Sequence, residues 1–129
     1  DKRLSLCTYK GLEKPKENKP VTHISLYELE AFAKWQDLKI PHEIEWEIAS
    51  KKLTNINLVW EWCNNIFYPY KGFTAKPYKE YSKPWFNSNY YTLRGSSIYS
   101  EKEIKRLTFR NFYEPNTRHI FSGGRLSSN

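Results

Sequence analysis

After residue 53 the sequence has no helical repeat left in it. Pro69, Gly72, Pro77, Pro84 and Gly95 interrupt the chain at short intervals. What survives between and after them are four short runs, NLVWEW, YYTLRG, RLTFRNFY and HIFSGGRL. All are rich in aromatic and β-branched residues, the composition of strands. A second half built this way excludes a helical bundle. It predicts a small, irregular, mainly antiparallel sheet joined by long loops.

The first half reads differently. Residues 1–20 form a loop-rich opening segment, in which KGLEKPKENKP is charged, broken by Pro15 and Pro20, and expected to be exposed. The domain proper is expected over residues 21–129. It opens on THISLYELEAFAKW, where Ser25 and Glu28 have the S-x-x-E spacing of a capping box and Ile24 and Leu29 the spacing of a hydrophobic staple. Leu26, Leu29, Phe32 and Trp35 recur every third residue, so a helix is predicted over 26–36 with these four as its apolar stripe. A second helix is predicted from Pro41, with Glu43, Glu45 and Glu47 toward its positive end, Lys51 and Lys52 at its negative end, and Ile44 and Ile48 facing the core. The class is therefore α+β.

The core has to come from aromatic residues. Mean hydropathy is −0.81, yet aromatics make up 17% of the 129 residues. Each buries a large area, so a few can replace many aliphatics. Trp60, Glu61 and Trp62 read as a core staple, and Cys63 as a small buried thiol. Cys7 and Cys63 lie far apart with no C-x-x-C spacing, which reads as reduced thiols of a cytoplasmic protein, with one disulfide as the alternative. No apolar run approaches the roughly 20 residues a membrane helix needs. The net charge is +7, but the lysines are scattered and no RNA-binding signature is present. Charge alone would support a nucleic-acid partner, and a solvated basic surface explains it better. His23, His42 and His119 have no H-x-x-x-H spacing, so no two of them stack on one helical face as a metal pair would.

Six motifs occur in order: PVTHISLYELEAFAKW, IPHEIEWEIA, LVWEWCNNIFYPYKGF, PYKEYSKPWF, YTLRGSS and FRNFYEPNTRHIFSGGRL. This series resembles the formylglycine-generating-enzyme/sulfatase-modifying superfamily (FGE-sulfatase), a variant of the C-type-lectin fold. Over residues 20 to 126 it resembles in particular the C-terminal domain of the ergothioneine-biosynthesis sulfoxide synthases (the EgtB family) and of the related selenoneine synthases. Four departures stand out. Lys39-Ile40-Pro41-His42-Glu43 replaces R-L-P-T-E, Arg94-Gly95-Ser96-Ser97-Ile98 replaces R-G-G-S-W, and Gly123-Gly124-Arg125 stands for G-F-R or G-x-R. The stretch between EWE and VWEW is also shortened.

The resemblance implies an architecture of two N-terminal helices packed on a small irregular sheet with long loops. It implies an oxidoreductase that joins a thiol or a selenium donor to the imidazole of hercynine, a trimethylated betaine, using oxygen and non-haem Fe(II). In the family the iron is held by a separate DinB-like domain, which makes that domain a partner in the same or another chain. This segment would bind no iron and would not catalyse alone. The absence of methionine from the sequence agrees with its being the C-terminal part of a larger enzyme.

Arg110, Asn111 and Phe112 match the family's R-N-W/F, which implies pocket lining. An aromatic face can hold a trimethylammonium group, and an amide can orient an imidazole. The structural alternative is a buried strand with Asn111 capping a turn. Tyr78 and Tyr81 match loop tyrosines near the family site, where a phenol could donate a proton; Tyr81 is the catalytic candidate, and loop packing is the alternative. Tyr113 and Thr117 occupy the places where one branch carries the Asp and Arg that bind γ-glutamylcysteine, which argues against that substrate and leaves a different thiol, a selenium donor or no thiol at all as the alternatives. Some superfamily members bind calcium through a loop ending in the W-E-W glutamate, which makes Glu61 and Asn57 calcium candidates, although calcium takes about six or more oxygens. Arg94, Arg118 and Arg125 read as loop braces. The alternative reading of the whole is a stand-alone C-type-lectin-like module whose aromatic loops over 67–90 contact a ligand or a protein.

Overall fold

Ser25 opens the first helix as its sequence predicts. In the computed structural model, which describes residues 6–8, 11–14, 16–69 and 89–129, α1 runs Leu26–Trp35. Ser25 Oγ accepts from the Glu28 N–H at 3.2 Å and Glu28 Oε1 accepts from the Ser25 N–H at 3.0 Å, closing the capping box. The buried face is not the predicted one. Leu26, Leu29 and Ala33 point inward, whereas Phe32 is 50% and Trp35 77% exposed. A strict three-residue repeat slips by roughly 60° per step on a helix of 100° per residue, so its later members leave the core face.

Helix α2 runs Glu43–Ser50 and does not begin at Pro41. His42 is the cap: its Nδ1 accepts from the Ile44 N–H at 3.2 Å, while Glu45 Oε1 accepts from the His42 N–H at 3.1 Å. This box fixes the first helical residue two positions after the proline. The predicted core face is again corrected. Ile44 and Ile48 are 47% and 67% exposed, and the buried face consists of Glu43, Trp46 and Ser50.

The opening segment contains two short strands that the sequence does not announce, β1 (Leu6–Thr8) and β2 (Gly11–Glu13), paired antiparallel. Its described residues from 11 onward are exposed, as expected. The main sheet uses parts of all four predicted runs: β3 (Trp60–Ile66), β4 (Tyr91–Arg94), β5 (Asn111–Tyr113) and β6 (Ser122–Gly123), in the order β5-β4-β3-β6. Its β3–β4 and β4–β5 pairs are antiparallel and β3–β6 is parallel. Between Trp62 and Ile66 the register shifts, and there the Asn64 N–H leaves the ladder to donate to the Pro41 carbonyl at 2.9 Å. That bulge ties β3 to the start of α2.

The core joins Leu26, Leu29, Ala33 and Ile40 of the helical layer to Trp62 and Leu93 of the sheet. Trp62 has no solvent exposure, and its indole N–H donates to the Ile24 carbonyl at 2.9 Å. The staple reading of W-E-W therefore holds, and truncating Trp62 to alanine would cost about 3–5 kcal/mol. The C-terminal tail closes over the helices through backbone bonds between Lys39 and Ser127 of 3.0 and 2.8 Å. Among the described residues no helix is long and apolar enough to cross a membrane.

Candidate functional site

The chemistry-bearing residues gather where β5 crosses β4. Thr92 pairs with Phe112 and Leu93 with Asn111 in the ladder. Asn111 Oδ1 accepts from the Phe112 N–H at 2.9 Å, which fixes the amide and leaves its Nδ2 as a donor. Phe112 stacks on Phe67 with centroids 4.5 Å apart and planes at 19°, and Tyr90 meets Phe112 edge-on at 5.7 Å. Phe67 and Tyr90 are themselves joined through a 2.7 Å bond from the Phe67 N–H to the Tyr90 carbonyl. Arg110 and Phe112 share one face of β5 and Asn111 and Tyr113 the other, so the outcome is a partly buried aromatic platform on the side of α2, with the fixed amide on the opposite face of the strand.

Beneath the platform lies a buried ionic network. Arg110 grips Glu43 with two bonds, Nε to Oε2 at 3.1 Å and Nη2 to Oε1 at 2.8 Å, and donates to the Tyr68 carbonyl at 2.8 Å. Arg94 approaches Glu43 at 3.6 Å, donates to Glu47 at 2.9 Å and to the Leu107 carbonyl at 2.7 Å, and stacks over Trp46 at 5.4 Å. Arg94 and Glu43 have no exposed side-chain surface. Burying such charges is tolerable only because each has several partners.

The other predicted residues are spread across the fold. Tyr78 and Tyr81 lie outside the described residues. Tyr113 packs against the core cluster and meets His119 edge-on at 6.0 Å. Glu61 is buried and receives Arg125, Nε to Oε1 at 2.6 Å and Nη2 to Oε2 at 3.4 Å, while Asn57 Oδ1 accepts from Ser96 Oγ at 2.9 Å. Arg125 also donates to the Asn55 carbonyl at 3.1 Å, and Arg118 pairs with Glu28 at 3.0 Å, so these arginines act as braces. His23 Nδ1 lies 3.2 Å from the Arg118 carbonyl, and His42 caps α2. Among the described residues no three of His, Cys, Asp and Glu gather in a way that could hold a metal ion. Cys63 is fully buried; desolvation, reinforced by the nearby Glu43 charge, pushes its thiol well above the ordinary value of 9.0.

Glu43, Phe67 and Tyr90 are site residues that sequence reasoning passed over. Glu43 reads locally as an acid at a helix N-terminus. The one trace of its role is the spacing E-x-E-W-E, since three acids two residues apart cannot share one solvent face of a helix. Phe67 and Tyr90 carried only the general signal of the aromatic stretch 67–90; each becomes part of the platform only through strand pairing.

Comparison with known proteins shows what the chain as a whole is similar to. A family model for the FGE-sulfatase (sulfatase-modifying factor enzyme 1-like) domain matches residues 5–55. The hercynine oxygenase of Mycobacterium tuberculosis is 31% identical over 156 positions, covering 85% of this chain and 37% of that protein. That of Mycolicibacterium smegmatis is 31% identical over 160 positions with the same coverage, and that of Mycolicibacterium thermoresistibile is 29% identical. The chain thus spans somewhat over a third, 37%, of the length of these relatives. Its aligned part is about 110 residues, 85% of 129, against 156 aligned positions, so the relatives carry insertions that it lacks.

Proposed function

Because the chain belongs to the sulfatase-modifying-factor (FGE-sulfatase) superfamily and is similar over most of its length to hercynine oxygenases, we propose that it forms the substrate-binding part of an oxygenase acting on a hercynine-like betaine. The observation that carries this reading is the 31% identity over 85% of the chain. The platform fits it chemically. A trimethylammonium group is a diffuse cation that an aromatic face attracts by about 0.5–2 kcal/mol. Phe112 supplies that face. Asn111, its neighbour in the R-N-F triplet, is the candidate donor to an imidazole nitrogen through its Nδ2. Tyr81 remains the candidate proton donor of the reaction, and Tyr78 and Tyr113 candidate contacts.

The resemblance implies Fe(II), which when bound would supply the oxygen chemistry for joining sulfur or selenium to the imidazole. The described residues offer no ligand set that fits it. In this reading the iron belongs to a DinB-like domain, and the present chain contributes binding, orientation and exclusion of water. Calcium at Glu61 and Asn57 is no part of the proposal, since Arg125 already neutralises Glu61.

Calorimetric titration of hercynine into the natural full-length protein tests the reading. Saturable binding is expected, weakened about tenfold by Phe112→Ala, the scale of one lost cation–π contact. Asn111→Ala should weaken it to a similar degree. A folded protein that takes up no hercynine at millimolar concentration would overturn the assignment.

A further inference from the structure

Glu43 lies in the first turn of α2, on a different element from the platform, yet it is joined to Phe112 by an unbroken column of contacts. Its carboxylate holds the Arg110 guanidinium through two bonds of 2.8 and 3.1 Å. That guanidinium lies over the Phe67 ring at 4.5 Å, and Phe67 in turn stacks on Phe112 at 4.5 Å and 19°. A second tie runs alongside. The Glu43 N–H donates to Asn65 Oδ1 at 2.9 Å, and Asn65 Nδ2 donates to Thr92 Oγ1 at 3.2 Å, on the strand that pairs with Phe112.

We propose that Glu43 is a positioning residue for the betaine site, acting through Arg110 and Phe67 on the Phe112 ring. Two physical effects combine. A bidentate carboxylate fixes the plane of the guanidinium, which a single bond would leave free to rotate. The plane fixes the tilt of Phe67, and the stacked pair fixes the face that Phe112 presents. Charge is the second effect. An uncompensated guanidinium two rings below a quaternary ammonium would repel it in a low-dielectric setting. Among the described residues Glu43 and Glu47 balance Arg94 and Arg110, so these four charges cancel under the platform.

This inference rests on the betaine reading above, and a double-mutant cycle separates the two. Hercynine affinity is measured calorimetrically for the full-length protein, Glu43→Gln, Phe112→Ala and the double variant. If Glu43 acts through the ring, Glu43→Gln weakens binding about tenfold in the natural background and less than about twofold once Phe112 is gone. A residue that merely supports folding would weaken both backgrounds equally. Because Glu43→Gln leaves buried arginine charge with fewer partners and could prevent folding, Arg110→Lys is run in the same cycle. It keeps the charge and loses the planar fork, and the same pattern is expected. Equal losses in both backgrounds, or variants that bind as well as the natural protein, overturn the positioning role and leave the betaine reading standing. A natural protein that binds no hercynine overturns both.

Discussion

Gly124 occupies a place that alanine could reach but not fill. Its φ lies outside the left-handed region, so the backbone itself tolerates a side chain. What forbids one is Leu29: a Cβ built on Gly124 would lie 2.3 Å from Leu29 Cδ2, with Cδ1 and Cγ each at 3.4 Å. Ordinary contact begins near 3.4 Å, so the leucine methyl would have to retreat by about 1.1 Å. Leu29 is 4% exposed and clustered with Leu26 and Trp62, and a close-packed interior has no room for that movement. Overpacking of this kind costs about 1–3 kcal/mol. At this chain length that lowers Tm by roughly 3–6 °C per kcal/mol. Urea titration followed by tryptophan fluorescence should show the Gly124→Ala midpoint falling at unchanged slope. Leu29→Ala should cost about 2–5 kcal/mol alone, through the cavity it leaves. In the double variant the new methyl group enters that cavity, so the loss should fall short of the sum of the two singles by at least about 1 kcal/mol. A neutral Gly124→Ala, or strict additivity in the double, would refute the packing argument.

Two further outcomes follow from the titratable groups. In a Cys7→Ser background, Cys63 should resist a thiol reagent at pH 8 until urea unfolds the protein, because its pKa is raised chiefly by desolvation. Since folding favours the neutral thiol, stability should be level below about pH 9.0 and decline above it; rapid labelling of the native protein would contradict this. Glu28 has the opposite sign: the Ser25 N–H bond leads in holding its pKa below 4.5. Its charge should therefore stabilise the fold above that pH and cease to do so as the pH falls through the lowered value. Glu28→Gln keeps an acceptor for the cap and removes the charge, so its stability from urea titration should lie below the natural one at pH 7, by about 0.5 kcal/mol, and converge with it near pH 3. A gap that persists at pH 3 would point to the bond geometry instead of the charge.

Features closed within a few residues were legible in the sequence. Ser25 and Glu28 are three apart, and their box forms as predicted. The four aromatic runs each supply a strand, because β-branched and aromatic residues suit a pleated, half-buried surface. The helix faces were not legible. On α2 the sequence offers Ile44 and Ile48 as obvious core residues, and the fold buries Glu43 instead. That choice makes sense only once Arg110, 67 residues onward, is known to arrive beside it. Hydrophobic periodicity counts apolar side chains one element at a time, so it has no means of valuing a carboxylate whose neutralising partner lies on another strand. The same limit hid Phe67 and Tyr90, whose contribution depends on register.

The arginines explain how strands of two to seven residues hold a site in place. LRGSS, FRNFYEP and SGGRL each carry one arginine, and each of these ends on an acid of α2 or β3: Arg94 on Glu43 and Glu47, Arg110 on Glu43, Arg125 on Glu61. Hydrophobic burial alone would let short, aromatic strands slide, because one apolar ring can replace another at modest cost. A buried carboxylate admits no such substitution: shifting the strand by one residue breaks the pair, at a penalty of about 3–5 kcal/mol. Such pairs add less to net stability than an apolar pair of the same volume. Their contribution is to specify register, and the register they specify is the one that sets Phe112 on Phe67.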